Sequence, residues 1–206
     1  MARVQGVKEK LHSPLYDAFF VPGRNNGGAS GEKTFEEVMK ERDPRMIRFF
    51  VDVQNKTRLE TNLQASGVLP SQNAFEARAM RVVVSSLRKE TNPGPEFMQE
   101  SNFMAELIYS SVTSLLVGEK VMIEMPTFYF PAGAGVQGVG LTVQNHGDPD
   151  PLATFRFAEP VLIEPQQNFR VEMLFPQGLP DPAVAKVKGP LRIWVVLDGY
   201  LTRDVQ

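Results

Sequence analysis

Hydrophobic and polar positions alternate most clearly towards the end of the chain, within residues 160–201. Phe169, Val171, Met173 and Phe175 share one face of a period-two pattern, with Arg170 and Glu172 on the other. Leu191, Ile193, Val195 and Leu197 repeat it, opposed by Arg192 and Asp198. Successive side chains of a strand point to opposite sides, so each run predicts a strand with one face on a core and one partly wet. Pro176 has no N–H for a ladder and stops the first run. Asp198-Gly199 supplies turn chemistry near the end of the second. Nothing helical separates the two runs, which predicts an antiparallel, all-β body rather than βαβ units.

The same reading finds further strands upstream. Residues 46–53 and 75–85 have strong strand propensity, and residues 59–63 suggest a shorter strand. Residues 107–117 and 121–125 form a hairpin pattern about Gly118-Glu119-Lys120, and residues 154–158 lead into Pro160. Residues 92–103 read as a long connection, with a helix over 95–106 opened by Pro95 as the alternative. Pro131 and the glycines within residues 126–140 predict a surface loop. About eight strands without crossover helices predict one eight-stranded jelly roll, an antiparallel β-sandwich, over residues 45–206.

Residues 1–44 differ. Charged residues are scattered among few apolar anchors, and residues 23–31 are a glycine-rich tract. Thr34 is placed to cap a helical turn, with Glu36 and Glu37 in its first turn. One reading is a terminus with little structure. The other is an extended N-terminal arm that orders against a neighbouring subunit, with Leu15, Tyr16, Phe19 and Phe20 as the inter-subunit contacts. The adjacent Phe19 and Phe20 favour the arm.

Composition narrows the classes. The 206 residues are 42% hydrophobic, enough for a full core. A net charge of −2 gives no basic excess, so no direct sequence-specific nucleic-acid binding is expected. There is no cysteine, which excludes disulfide and thiolate chemistry. The first residues lack an apolar signal core, and no apolar run approaches the roughly 20 residues of a membrane helix. The chain is expected to be soluble or held at a surface by partners.

Candidate chemistry is sparse. His12 and His146 are the two histidines, short of the usual three protein ligands of a catalytic metal. Residues 145–150, Asn-His-Gly-Asp-Pro-Asp, are oxygen-rich, but their spacing fits a polar turn better than a calcium loop. The glycines of residues 133–138 lack a following Lys-Ser/Thr. No serine stands in Gly-x-Ser-x-Gly. Glu36 and Glu37 read as solvated surface, and Trp194 as core or interface. The chain is expected not to be an enzyme, with no catalytic, cofactor-binding or metal-binding residues.

Five stretches carry a resemblance: Phe49-Phe-Val-Asp-Val-Gln-Asn-Lys-Thr, Asn62-Leu-Gln-Ala-Ser-Gly-Val-Leu-Pro, Phe130-Pro-Ala-Gly-Ala-Gly-Val, Ile163-Glu-Pro-Gln-Gln-Asn-Phe-Arg-Val and Val195-Val-Leu-Asp-Gly-Tyr-Leu-Thr-Arg. Over residues 45–206 the chain resembles the single jelly-roll major capsid proteins of tailless icosahedral phages with an internal membrane, sphaerolipovirus-like viruses among them. The resemblance implies a homo-oligomeric structural protein of the virion, a capsid subunit that self-assembles into an icosahedral shell in the host cytoplasm. It implies copies of itself and other capsid proteins as partners, with an internal membrane or a membrane-associated virion protein beside them. It carries no active-site residues. Two other classes stay open: a virion decoration, spike or other β-sandwich binding module, and a metal-free jelly-roll enzyme.

Overall fold

The computed structural model describes residues 8–23, 33–86, 95–133, 150–179 and 186–204. Nine strands lie among them: β1 (Lys8–His12), β2 (Leu15–Val21), β3 (Met46–Phe49), β4 (Asn73–Ser86), β5 (Val112–Val117), β6 (Lys120–Pro126), β7 (Phe155–Ile163), β8 (Phe169–Leu174) and β9 (Leu191–Asp204). Two helices join them, α1 (Phe35–Arg42) and α2 (Pro95–Tyr109). The strands form two antiparallel sheets in a sandwich-like arrangement. One sheet runs β1-β9-β4-β7, with β2 also on β9, and the other runs β3-β8-β5-β6. Every pairing is antiparallel.

The alternation of β8 and β9 resolves as expected. Phe169, Val171, Met173, Phe175, Ile193, Val195 and Leu197 are fully buried between the sheets. On the other face of β8, Arg170 and Glu172 pair at 2.6 Å. The long β9 serves two partners on one side: Leu191–Leu197 pair with β2, and Tyr200–Asp204 pair with β1.

Five expectations are corrected. Residues 1–44 do not form an arm separate from a domain at 45–206. Both β1 and β2 are strands of the first sheet, and Phe35, Val38 and Met39 of α1 enter the common core. The expected strand 46–53 ends at Phe49, because Phe50 takes a positive φ of 68° and leaves the ladder. Residues 58–60 form a turn instead of a strand, and Thr61 makes a single bridge to Asp17. The strand expected over 107–117 starts at Val112, since α2 carries the chain to Tyr109; Pro95 does open that helix. Asp198-Gly199 is no turn but a continuous part of β9; the bulge lies opposite it in β4, whose register shifts between Ala77 and Ala79.

Helix α1 forms as its sequence predicts. The Thr34 hydroxyl accepts the Glu37 N–H, and the Glu37 carboxylate accepts the Thr34 N–H at 2.8 Å, a capping box. That bond holds the Glu37 carboxyl below its ordinary range. The buried residues at 35, 38 and 39 follow the i, i+3, i+4 rule. Phe35 then lies edge-on to Phe19, Phe103 and Phe175, tying β2, α2 and the end of β8 together.

Candidate functional site

The expected contact residues serve their own sheet. Leu15 and Phe19 point inward from β2 and are 5% and 3% exposed, leaving little surface to offer a neighbour. Tyr16 and Phe20 point to the outer face and are half-buried. The Tyr16 hydroxyl donates to the Arg58 carbonyl, and the Arg192 guanidinium lies 4.7 Å from the centre of the Phe20 ring. The turn at 58–60 folds over this face, and the Trp194 indole N–H donates to the Leu59 carbonyl at 3.1 Å. Trp194 is thus a partly covered surface residue. The Asn145–Asp150 loop and the glycines of residues 134–138 lie outside the described residues, Asp150 excepted.

The largest exposed aromatic surface among the described residues was not predicted. It joins the end of α2 to a 3-10 turn at Thr127–Tyr129 that follows β6. Tyr109 is 74% exposed, Phe128 46% and Tyr129 45%, and the three form one contiguous apolar patch rather than scattered side chains. Phe128 stacks on Tyr129 with ring centres 4.7 Å apart and on Tyr109 at 6.0 Å. Tyr129 meets Phe155 edge-on, and Phe155 meets the buried Phe130. The ledge is therefore rooted in the core through two further rings.

Buried hydroxyls set its geometry. The Ser111 hydroxyl donates to the Leu107 carbonyl at 2.6 Å and contacts the Thr127 hydroxyl at 2.7 Å, and Thr113 meets Thr127 at 2.8 Å. The Thr127 N–H donates to the Ser111 carbonyl at 2.9 Å. These bonds close the helix end onto the start of β5 and onto the turn after β6, which brings Tyr109 beside Phe128 from 19 residues away in sequence. The Phe130 carbonyl accepts the Val82 N–H at 3.0 Å and fixes the turn to β4. A reading by single-strand periodicity placed Tyr109 in a strand and so missed this pairing. The detectable signal was Pro126-Thr-Phe-Tyr-Phe130, a proline-initiated aromatic run that no strand face can bury whole.

The ledge offers apolar edges and two phenol groups to a partner. Its rings cover one another's faces, so a flat sugar has little free π-face to stack on, whereas a protein surface can pack against the edges. No protein-family model matches the chain, and no curated protein matches it.

Proposed function

We propose that the chain is a structural virion protein, a capsid subunit that builds a shell from copies of itself. The observation that carries this reading is the nesting of the strand pairs. β5 pairs with β6, β4 with β7, β3 with β8 and β2 with β9, each pair enclosing the one before. Successive pairs fall in alternate sheets. This nesting supports reading β2–β9 as a rolled-up long hairpin, the eight-stranded jelly roll used by viral capsid proteins, with β1 as an added strand on β9. Fold alone does not dictate function. The exposed aromatic ledge adds a surface of the kind that subunit contacts bury.

Electron microscopy of the purified full chain over a range of concentration and salt tests the reading. Closed particles or regular sheets tiled by the chain are expected. A monodisperse monomer under every condition would count against it.

The ledge also favours a second reading, a virion decoration, spike or other β-sandwich binding module. Such a module would remain monomeric or a small oligomer alone and bind a preformed surface through Tyr109, Phe128 and Tyr129. The same micrographs separate the two, because a decoration protein builds no shell by itself.

A further inference from the structure

We propose that a cleft on the outer face of the β9-β4-β7 sheet binds a small oxyanion-bearing molecule, a phosphate ester or carboxylate, held by Arg78 and Arg156. This inference does not depend on the shell reading. The register of β4 is what opens the cleft. Against β9 the pairing passes from Ala77–Gly199 to Ala79–Asp198, so Arg78 is an extra residue with no partner. Against β7 it passes from Ala77–Val161 to Ala79–Arg156, so residues 157–160 of β7 oppose Arg78 alone. Pro160, which has no N–H, ends that excursion. Two irregularities thus fall at the same level on both sides of one strand. Bulges of this kind re-aim side chains and are common beside binding sites.

The result is a cleft of about 460 Å³ lined by His12, Arg78, Thr154, Arg156, Asp198 and Tyr200 among others. That volume lies in the range of small-molecule sites. Its floor requires Gly199, since a Cβ there would collide with the Glu76 carbonyl and the Phe75 ring. Two arginines and one carboxylate line the cleft. Lys10, Arg78 and Arg156 stand against Glu76 and Asp198. Glu76 is shared by Lys10 at 2.6 Å and by Arg78 at 2.7 Å. Asp198 is occupied by the His12 ring at 2.8 Å. Arg156 has no ion pair or hydrogen bond with the described residues.

Arg78 is held in place from two sides, by Glu76 and by the Tyr200 ring 5.1 Å below its guanidinium. It is therefore pre-oriented and keeps N–H groups to donate. Guanidinium groups on neighbouring strands match the planar oxygens of a carboxylate or phosphoryl group, which they bind bidentately. An oxyanion between them supplies a partner that the described residues do not give Arg156 and joins the two strands where their ladder is open.

Calorimetry on the full chain at low salt, with pyrophosphate and citrate as probes, tests this. Variants Arg156→Gln and Arg78→Gln alter exposed side chains, and circular dichroism checks that they fold. Arg48→Gln, on the other sheet, removes the same charge as a control. Saturable one-to-one binding is expected for the wild type and for Arg48→Gln, weakened about tenfold or more in Arg156→Gln and Arg78→Gln, the scale of one charge-assisted hydrogen bond. Absence of saturable binding to either probe, or equal affinity in wild type and Arg156→Gln, overturns the proposal. So does an equal loss in Arg48→Gln. Co-flotation with phosphatidylcholine vesicles containing phosphatidic acid identifies the source. Arg156-dependent flotation assigns the oxyanion to a lipid headgroup; probe binding without flotation assigns it to a free small molecule.

Discussion

The Asp17 carboxylate accepts the main-chain N–H of Phe50 at 2.7 Å, joining β2 to the end of β3 across 33 residues of sequence. Asp17 has no exposed surface, and the Lys56 ammonium donates to both its oxygens at 2.8 Å. One residue earlier, the Tyr16 carbonyl accepts the Thr61 hydroxyl at 3.1 Å and the Asn62 N–H at 3.3 Å. The segment from Phe50 to Asn62 is thus laced to the free edge of β2, which would otherwise present an unpaired strand. Phe50 can hold its left-handed backbone because this carboxylate and the Phe169 ring, 5.3 Å away, fix it from both ends.

Removing Lys56 should therefore be severe. Its side chain is 14% exposed, so water replaces the ammonium poorly. Lys56→Met is expected to lower stability by about 3–5 kcal/mol, the loss seen when one partner of a buried pair is deleted. Urea unfolding measures it. A change under about 0.5 kcal/mol, within the range of ordinary surface substitutions, would mean that the carboxylate is satisfied without the lysine.

The same carboxyl predicts a sign for the pH dependence. Burial pushes the Asp17 pKa above its ordinary value of 3.8, against the opposing pull of Lys56 and the Phe50 N–H. The folded chain then binds this proton more tightly than the unfolded chain. Its contribution is full below pH 3.8 and is lost as pH rises through the folded value. The stability difference between wild type and Asp17→Asn should move against the wild type over that interval. A wild-type advantage that grows with pH instead would show the Lys56 pair outweighing burial.

Deleting residues 1–44 should unfold the chain rather than merely block assembly. The deletion removes β2, which pairs with β9 along all seven of its residues, and takes Phe19 and Phe35 from the core. Circular dichroism of the truncated chain should lack the cooperative transition of the full chain. A truncated protein that melts cooperatively would restore the idea of a detachable arm.

That misplaced arm shows what the sequence made legible. β8 and β9 were plain because every inward position in them is apolar, and periodicity reads burial directly. β2 has the same alternation, Leu15, Phe19 and Val21, but a carboxylate at its second inward position. A buried aspartate is readable only with its partners, and Phe50, Lys56 and Thr61 come more than 30 residues later. The cleft was hidden for a related reason. A bulge is a mismatch between two strands, and neither Arg78 nor Pro160 announces it alone. Tyr109 and Phe128 likewise meet only through the Ser111–Thr127 contact.

The core assignment gives a direct thermodynamic test. Phe175 is fully buried and lies edge-on to Phe35 with ring centres 6.4 Å apart. Phe175→Ala should cost about 3–5 kcal/mol, combining lost transfer energy with the cavity left behind. The Phe35 cluster bridges both sheets and both helices, so partial collapse around the gap is limited. A loss below about 1 kcal/mol would require the site to close by repacking.

The aromatic ledge separates assembly from folding. Tyr109 and Phe128 are exposed, so Tyr109→Ser with Phe128→Ser removes apolar area that water already reaches. The folded chain loses two stacked pairs, Tyr109–Phe128 and Phe128–Tyr129, each worth about 0.5–1.5 kcal/mol, and keeps the hydroxyl contacts of Ser111, Thr113 and Thr127 that shape the turn. In an interface the same two rings would be desolvated on a partner, where each buried aromatic contributes about 1.5–3 kcal/mol. Repeated at every subunit of a lattice, that difference is decisive. The double variant is expected to melt within a few degrees of wild type while particle formation, followed by light scattering and microscopy, is lost. Particles formed at wild-type concentration would remove the ledge from the contact surface. A large fall in melting temperature would instead show that the two rings hold the helix end to the turn.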